Sequence, residues 1–364
     1  MTTEKLQNTE DYDDSADKIM RSVPLDSMTQ KVEMDTGITV TFYGYKENPQ
    51  KQLFFMIFSV LTAGIVYLVS LWSLRLKLIW TMDRCALSQA SWIYAKNDEN
   101  AEDLRRIKVS KEKNLKYFIY RYVRFIFDDE SKKFIICDVV EMIRNDFPTQ
   151  GLTAAVVKER RVLVGENSFE VENKSCFAIL ADGILHPFNV FQVFASIVWF
   201  KQDQGPYATA ILLMSGYGII TTLLETRKSL RHLRDMAYFS CPVNILRDGQ
   251  WISGVPSEAL VPGDIFELDC DMEILPCDAL LISGEVLLNE SMLTGESIPV
   301  VRKSIPADET LADNLDNKAS ILYAGTKLMR VRGGNSRRAL AMVIRTSFDT
   351  FKGFLLRQII YTHP

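Results

Sequence analysis

Residue types that build metal sites and disulfide frameworks are scarce in this chain of 364 residues. Its three histidines are far apart, and its six cysteines form no Cys-x-x-Cys pair, so a zinc site is not expected. Because the chain is long and the cysteines follow no pattern, we expect free thiols in a reducing compartment. The residues concerned are His186, His232, His363, Cys85, Cys137, Cys176, Cys241, Cys270 and Cys277.

A strong charge of either sign is also missing. The chain has 42 Lys and Arg against 46 Asp and Glu, a net charge of −4, which gives no reason to expect a nucleic-acid partner. The N-terminus is acidic and lacks the basic and apolar regions of a secretory signal. We therefore expect residues 1–45 to form a disordered, acidic tail.

Apolar residues make up 47% of the sequence, and they are concentrated in three runs. The second and third runs, 176–200 and 207–224, are separated by only a few residues, which predicts a tight hairpin of two transmembrane helices. Lys and Arg flank this hairpin on both sides, whereas Lys201 is the only basic residue of its connecting loop. Short basic segments stay in the cytosol, so both flanking regions are predicted to be cytosolic.

The first apolar run, residues 53–72, has about the 20 residues needed to cross a bilayer. Basic residues flank it at both ends, so the charge pattern does not favour a crossing. Gly64 near its middle and the amphipathic continuation at 73–82 favour a re-entrant segment over 46–82 that enters the cytosolic leaflet and returns. An ordinary transmembrane helix is the alternative.

Two cytosolic regions are rich in strand-forming residues. Aromatic and β-branched residues at 116–127 and 133–140 predict a β-rich N-terminal domain over 83–175, with a helix at 151–164. After the hairpin, a helical continuation to residue 237 and short strands separated by turns predict an all-β, jelly-roll-like domain over 225–350. The strands are predicted at 243–246, 265–268, 279–282, 321–323, 327–331 and 339–345.

The chain is thus predicted to be a multi-domain membrane protein with an α-helical hairpin and two β-rich cytosolic domains. Apolar residues recur at helical spacing near the C-terminus. This spacing predicts a helix over 351–364, with Ser347 as its N-cap.

The segment with the clearest chemical content is Asn289-Glu290-Ser291-Met292-Leu293-Thr294-Gly295-Glu296-Ser297-Ile298-Pro299-Val300. Taken alone, Thr294-Gly295-Glu296-Ser297 is a polar turn whose glycine lets the backbone approach another surface closely. Four such residues also occur in ordinary solvated loops, so the surrounding motifs decide the interpretation.

Together with Leu260-Val261-Pro262-Gly263-Asp264 and Leu275-Pro276-Cys277-Asp278, this segment resembles the actuator domain of P-type ATPases, in the family's order and spacing. The resemblance implies that the loop moves onto a phosphorylated aspartate in another domain. Glu296 would then position and activate the water that hydrolyses the acyl phosphate. Thr294 and Ser297 would orient the loop or the water, and Gly295 would permit close approach. Pro262, Gly263, Asp264, Pro276 and Asp278 are interpreted as structural.

Further motifs resemble the type V subfamily and its B branch. They are Gly44-Tyr45, Pro187-Phe188 with Phe191-Gln192, Asn289 to Leu293, Ala324-Gly325-Thr326-Lys327, and Val343-Ile344-Arg345-Thr346 leading to Lys352-Gly353. This resemblance implies a pump that uses ATP and Mg²⁺ to export polyamines or other cations from late endosomes and lysosomes. It also implies that the first apolar run is embedded without crossing the membrane.

One position departs from the family pattern. Where the family commonly places an acidic residue four positions before the hairpin proline, this chain has Gly183, with Asp182 beside it. An acid in a membrane segment is a functional candidate, although Asp182 at the membrane interface is the alternative. Asp182, Pro187 and Gln192 are therefore candidates for the transport pathway.

The family's phosphorylation motif and nucleotide-binding domain do not occur in the sequence. We therefore expect the chain alone to bind no ATP and to depend on those domains of a pump, together with membrane lipids, as partners. Three interpretations stay open from the residues: part of an ATP-driven cation pump, a short regulatory membrane protein without catalytic activity, and a membrane-anchored β scaffold.

Overall fold

The structure is a computed structural model, and it describes residues 24–25, 28–34, 37–98, 100–110, 114–145, 150–169, 175–237, 239–269, 272–296, 298–305, 319–333 and 338–361. Ser297 and most of the acidic N-terminal segment lie outside the described residues.

Two antiparallel sheets form an N-terminal β-sandwich. One sheet has the order β1-β2-β3-β5-β6 with β4 also paired to β3, and the other has the order β10-β9-β8-β7. The strands are β1 (Pro24–Leu25), β2 (Thr29–Glu33), β3 (Thr39–Glu47), β4 (Met82–Arg84), β5 (Trp92–Asn97), β6 (Glu102–Arg106), β7 (Lys108–Val109), β8 (Lys116–Tyr120), β9 (Val123–Asp128) and β10 (Lys133–Ile136). Buried rings fill the space between the sheets, with Phe42 packed edge to face against Phe118 and Phe125.

The expected disordered tail over 1–45 is wrong for its last part, because residues 29–33 and 39–47 are strands of this sandwich. Along β3 the side chains alternate between the core and the other face, which places Val40 and Phe42 in the core. The side-chain amide of Gln30 is buried, donates to the carbonyl of Phe134 at 2.6 Å and accepts from its N–H at 2.9 Å. The described end of the predicted tail is therefore part of the sandwich core.

Residues 48–81 leave the sandwich and return to it at the same place. They form helices α1 (Pro49–Leu61), α2 (Ile65–Trp72) and α3 (Leu74–Thr81), with a turn at Ala63 and Gly64, both at positive φ. The two ends meet, since Glu47 pairs with Met82 and the Lys51 ammonium lies 2.6 Å from the Asp83 carboxylate. The first apolar run is therefore divided among separate helices between two paired strands and is not one continuous helix.

The second and third apolar runs form packed helices. They are α6 (Cys176–Ile184), α7 (Pro187–Lys201) and α8 (Gly205–Ala237), and α6 and α7 are bent by 57° at Pro187. Carbonyl groups at the bend gain side-chain donors: the Trp72 indole donates to Leu185, and the Asn189 amide donates to Gly183, both at 2.7 Å. By length and composition, α8 and the bent pair can each cross a bilayer.

The C-terminal domain has two further antiparallel sheets, in the orders β12-β11-β13-β19-β14-β17 and β16-β15-β18. The strands are β11 (Pro242–Arg247), β12 (Gln250–Pro256), β13 (Ile265–Leu268), β14 (Asp278–Ser283), β15 (Glu285–Asn289), β16 (Val300–Lys303), β17 (Ile321–Leu322), β18 (Lys327–Arg332) and β19 (Ala339–Arg345). Each predicted strand of this domain is confirmed, whereas β12, β15 and β16 were not predicted. Ile245, Phe266 and Leu288 are among the fully buried residues between the sheets.

The predicted boundary at residue 175 is wrong, because residues 139–145 and 150–169 pack on the C-terminal domain. Helix α4 (Val139–Asn145) covers the outer face of the larger sheet, with Ile143 in the same buried cluster as Met342. Helix α5 (Ala154–Val164), which confirms the predicted helix, carries Arg160, a fully buried side chain that donates to the Pro262 carbonyl at 2.8 Å. Buried polar contacts with distant sequence partners cannot be seen in local patterns.

The final helix, α10 (Phe351–Tyr361), begins later than its predicted N-cap. Ser347 has a φ of 53° within a short 3₁₀ turn, and Thr350 takes the capping role by accepting from the Gly353 N–H at 3.0 Å. The ring of Phe348, in the same turn, stacks on Tyr122 of the N-terminal sandwich at 4.2 Å between centroids. The two β domains are thus in contact.

Alanine substitutions at two glycines, Gly249 and Gly263, test how closely Arg160 packs on the C-terminal domain. Gly263 has a φ of 89°, and an added Cβ there would lie 2.0 Å from Nη1 of Arg160; Gly249 has a φ of 73° and open space around it. We expect Gly249→Ala to cost about 1 kcal/mol, the price of a left-handed backbone, and Gly263→Ala to cost about 2–4 kcal/mol because the buried guanidinium must also move. Urea unfolding of both variants measures the difference, and equal losses would contradict this packing.

Candidate functional site

The Thr294-Gly295-Glu296 segment lies in the loop that joins β15 to β16. The loop, residues 290–299, begins with the one-turn helix α9 (Ser291–Thr294). The carbonyl of Glu290 accepts from the N–H groups of Leu293 and Thr294, at 2.9 and 3.0 Å, and from the Thr294 hydroxyl at 3.1 Å. The segment after Asn289 is therefore a folded turn with its own hydrogen bonds.

A buried ion pair closes the base of this loop. The guanidinium of Arg302, in β16, donates to the Glu290 carboxylate through Nε at 3.1 Å and through Nη2 at 2.9 and 3.1 Å to its two oxygens. Both side chains are largely buried, and the Arg302 guanidinium also lies 5.9 Å from the centre of the Tyr323 ring. Charge-assisted bonds of this geometry hold the two arms of the hairpin together.

Glu296 is exposed at the outer end of the loop. It follows Gly295, whose φ of 74° ends the short helix in a left-handed conformation; a Cβ added there would meet no atom within 4 Å. Within this chain, glycine is therefore needed for its backbone conformation. The Glu296 N–H donates to the Thr294 hydroxyl at 3.2 Å, and Met292 and Ile298 beside it are 83% and 76% exposed. An acidic group flanked by bare apolar side chains can contact a second surface.

The turn at Pro262 and Gly263 is held by the fully buried Asp264. Its carboxylate accepts from Nε and Nη2 of Arg247 at 2.9 and 2.5 Å and from the Val261 N–H at 2.9 Å. These contacts agree with a structural role. Because an unpaired buried carboxylate is costly, Arg247 and Asp264 depend on each other.

Asp278 is buried in the first position of β14 and connects three segments. Its carboxylate accepts from the Ala324 N–H at 2.7 Å and from the Phe351 N–H, at the start of α10, at 2.8 Å. Burial raises the pKa of Asp278 to about 6, although these two N–H groups and Arg345 oppose the rise. The neighbouring Pro276 carbonyl accepts from the Asn167 amide at 3.0 Å.

The transport-pathway candidates lie in the helical hairpin, apart from the C-terminal domain. Asp182 is exposed on α6, and Pro187 takes the first position of α7, where its missing N–H is tolerated. Gln192 accepts from the Ser215 hydroxyl of α8, so its side chain joins the two helices. For Gln192, helix packing is the role that the geometry supports.

The residues that sequence reasoning missed are those that fix the loop and its domain: Arg160, Asn167, Arg247, Glu290 and Arg302. Glu290 was recognised only as part of a motif. Arg302 lies in β16, a strand that the sequence did not predict, so its inward position opposite the core residue Val286 is visible only in the structure. A charge at such a position requires a buried counter-ion.

Three sequence families match successive parts of the chain. The P5-type ATPase cation transporter family matches residues 37–113, the cation transporter/ATPase N-terminus family matches residues 139–199, and the P-type ATPase actuator domain family matches residues 238–360. The last match contains the whole loop with Glu296.

Curated relatives resemble the chain over most of its length. The vacuolar cation-transporting ATPase YPK9 of Saccharomyces cerevisiae is 34% identical over 84% of this chain and 24% of the relative. The human polyamine-transporting ATPase 13A3 is 32% identical over 73% of this chain and 23% of the relative, and the probable cation-transporting ATPase catp-6 of Caenorhabditis elegans is 27% identical over 90% and 28%. The chain therefore spans about a quarter of the length of these relatives.

The raised pKa of Asp278 predicts a pH dependence of stability. The folded carboxyl group titrates near pH 6 and the unfolded one near 3.8, so the folded state binds this proton more tightly. The resulting stabilisation, about 3 kcal/mol, is fully present below pH 3.8 and is lost as the pH rises through 6.

Thermal unfolding of the wild-type chain and of Asp278→Asn between pH 4 and 7 tests this dependence. The variant should be less stable throughout, because an amide cannot accept from both backbone N–H groups, but it should lack the loss of stability between pH 4 and 6. Parallel pH profiles for the two proteins would contradict the assignment.

Proposed function

Because this chain belongs to the P5-type ATPases, we propose that it supplies the N-terminal and actuator domains of an ATP-driven cation pump, in which Glu296 activates the water that hydrolyses an aspartyl phosphate. The observation that carries the proposal is the exposed Glu296 carboxylate on a loop that is fixed to the sheet beneath it. A catalytic group must reach a phosphate in another domain and yet be held in place.

The chemistry follows from the residue types. During in-line attack on the acyl phosphate, water must lose a proton, and the Glu296 carboxylate can accept it. Thr294 holds the Glu296 N–H through its hydroxyl, so it acts on the loop conformation rather than on the phosphate. Ser297 keeps its proposed role in orienting the loop or the water. The exposed Met292 and Ile298 would lie against the phosphorylated domain and exclude solvent.

ATP and Mg²⁺ are implied by the family and would act in the phosphorylation and nucleotide-binding domains. Within the described part of this chain, no group of three or more His, Cys, Asp or Glu side chains is arranged to hold a metal ion. The described residues therefore do not fit a resident Mg²⁺, and no step of the proposal is assigned to the metal here.

We further propose that the chain is membrane-embedded through the helical hairpin and through a re-entrant segment formed by α1, α2 and α3. The bare apolar side chains of α1, such as Phe54 and Val60 at 77% exposure each, support burial in lipid. The paired strands at Glu47 and Met82 mean that the chain enters and leaves on one side. This geometry favours a re-entrant segment over a crossing.

Polyamines are the substrate class that we propose, with a late endosomal or lysosomal membrane as the location. Support comes from the polyamine-transporting and vacuolar relatives and from the branch motifs. The Gln192 and Ser215 contact supports a packing role in the hairpin, so the substrate pathway is proposed to depend on Asp182 and the bend at Pro187 rather than on Gln192.

Replacing Glu296 by Gln tests the catalytic role in the intact pump that contains this chain. The variant should form phosphoenzyme from ATP normally, because phosphorylation takes place in another domain, and should lose it at least about 100-fold more slowly. Decay of radiolabelled phosphoenzyme after an unlabelled ATP chase measures this rate. The control is Glu285→Gln, a half-buried glutamate at the other end of β15, and rapid decay in E296Q would refute the role.

Membrane topology is tested with single cysteines added on either side of the hairpin. In sealed vesicles with their cytosolic face outward, Asp248→Cys should react with a membrane-impermeant maleimide, whereas Gln202→Cys should react only after permeabilisation. The unmodified chain gives the background from its native cysteines. Equal labelling at both positions in intact vesicles would contradict a hairpin that crosses the membrane.

A further inference from the structure

We propose that the buried Glu290 and Arg302 pair is a positioning device for Glu296, so that the two residues set the rate of dephosphorylation without touching the phosphate. This inference rests on the proposed function of Glu296. It assigns a catalytic consequence to two side chains that lie at the base of the loop.

The side chain of Arg302 is oriented toward the core. In the pairing of β15 with β16, Arg302 lies opposite Val286, and Val300 lies opposite Leu288. Cross-strand partners share a face of the sheet, and Val286 and Leu288 are completely buried. Arg302 is therefore on the core side of its strand, where a charge is tolerated only with a partner.

Glu290 accepts hydrogen bonds through both its side chain and its backbone. The carboxylate receives three contacts from Arg302, and the carbonyl of the same residue receives the three donors that fold α9. Fixing this one residue against β16 thus also fixes the starting point of the short helix.

A continuous chain of hydrogen bonds connects the ion pair to the catalytic residue, Glu296. Arg302 donates to the Glu290 carboxylate, the Thr294 hydroxyl donates to the Glu290 carbonyl at 3.1 Å, and the Glu296 N–H donates to that hydroxyl at 3.2 Å. The backbone of Glu296 is therefore linked by hydrogen bonds to the sheet. Because no atom lies within 4 Å of a Cβ added at Gly295, packing there does not replace this connection.

Dephosphorylation requires Glu296 to be held in an accurate position. A water molecule must be held in line with the bond that breaks, and a displacement of about 1 Å can cost about 100-fold in rate. A ten-residue connection between strands loses considerable entropy when it is ordered, so without its anchor it would sample many positions. The ion pair makes that ordering part of the folded state before the domains meet.

The test separates positioning from stability. Replacing only Glu290 would leave the buried Arg302 without its counter-ion, which can unfold the domain. The main variant is therefore the apolar double replacement Glu290→Met with Arg302→Met, which removes both charges at similar volume. The matched control is Lys303→Met. It breaks the exposed pair of Lys303 with Glu285, 3.7 Å apart, on the same two strands.

In the intact pump, we expect the double variant to form phosphoenzyme at the wild-type level and to lose it at least about tenfold more slowly, with thermal stability close to that of K303M. In this chain alone, amide hydrogen exchange over 291–296 should be faster in the double variant than in K303M. Arg302→Lys should be intermediate, since it keeps the charge but loses the forked geometry.

The outcomes distinguish the positioning role of the ion pair from the proposed function of Glu296. Wild-type decay in the double variant, with slow decay in E296Q, would overturn the positioning role and leave the proposed function intact. Wild-type decay in E296Q itself would overturn both. Unchanged hydrogen exchange over 291–296 would also overturn the positioning role, because the loop would then be ordered without the pair.

Discussion

The C-terminal domain depends on buried polar side chains that join parts of the chain on either side of the helical hairpin. The Asn167 amide nitrogen donates to the carbonyls of Ser257 and Pro276, both at 3.0 Å, and its oxygen accepts from the Ser347 N–H at 2.8 Å. Arg160 likewise precedes the hairpin and donates to the Pro262 carbonyl. Because an unsatisfied buried polar group is costly, these contacts fix one arrangement of the segments.

The arrangement also determines where the loop is attached. The sheet that carries β15 and β16 belongs to a domain built from residues before and after the hairpin, so the domain and the hairpin helices are connected at two points of the chain. The loop that carries Glu296 is therefore part of a domain to which segments on both sides of the hairpin contribute. The carboxylate of Glu296 lies on the exposed part of a loop whose base is fixed by the pair of Glu290 and Arg302.

Sequence patterns predicted the elements well where a single physical rule dominates. Each expected strand of the C-terminal domain was found, as was the helix at 154–164, because alternation and turn residues are local properties. The same rules failed at the N-terminus, where acidic composition concealed β2 and β3, and at Ser347, where Thr350 is the cap. The motif predicted the candidate loop but not Arg302, because Arg302 faces core residues that its local sequence does not reveal.

By itself the sequence determined the kinds of elements, the three apolar runs, the family and the identity of the acidic residue in the loop. These features depend on residue type and on spacing within a few tens of residues. Only the tertiary structure decided that residues 139–145 and 150–169 complete the C-terminal domain, that the first run returns to the strand from which it starts, and that Glu290 is fixed by Arg302. The reason is physical: burial and pairing of charged groups are properties of space, and residues far apart in the chain supply the partners.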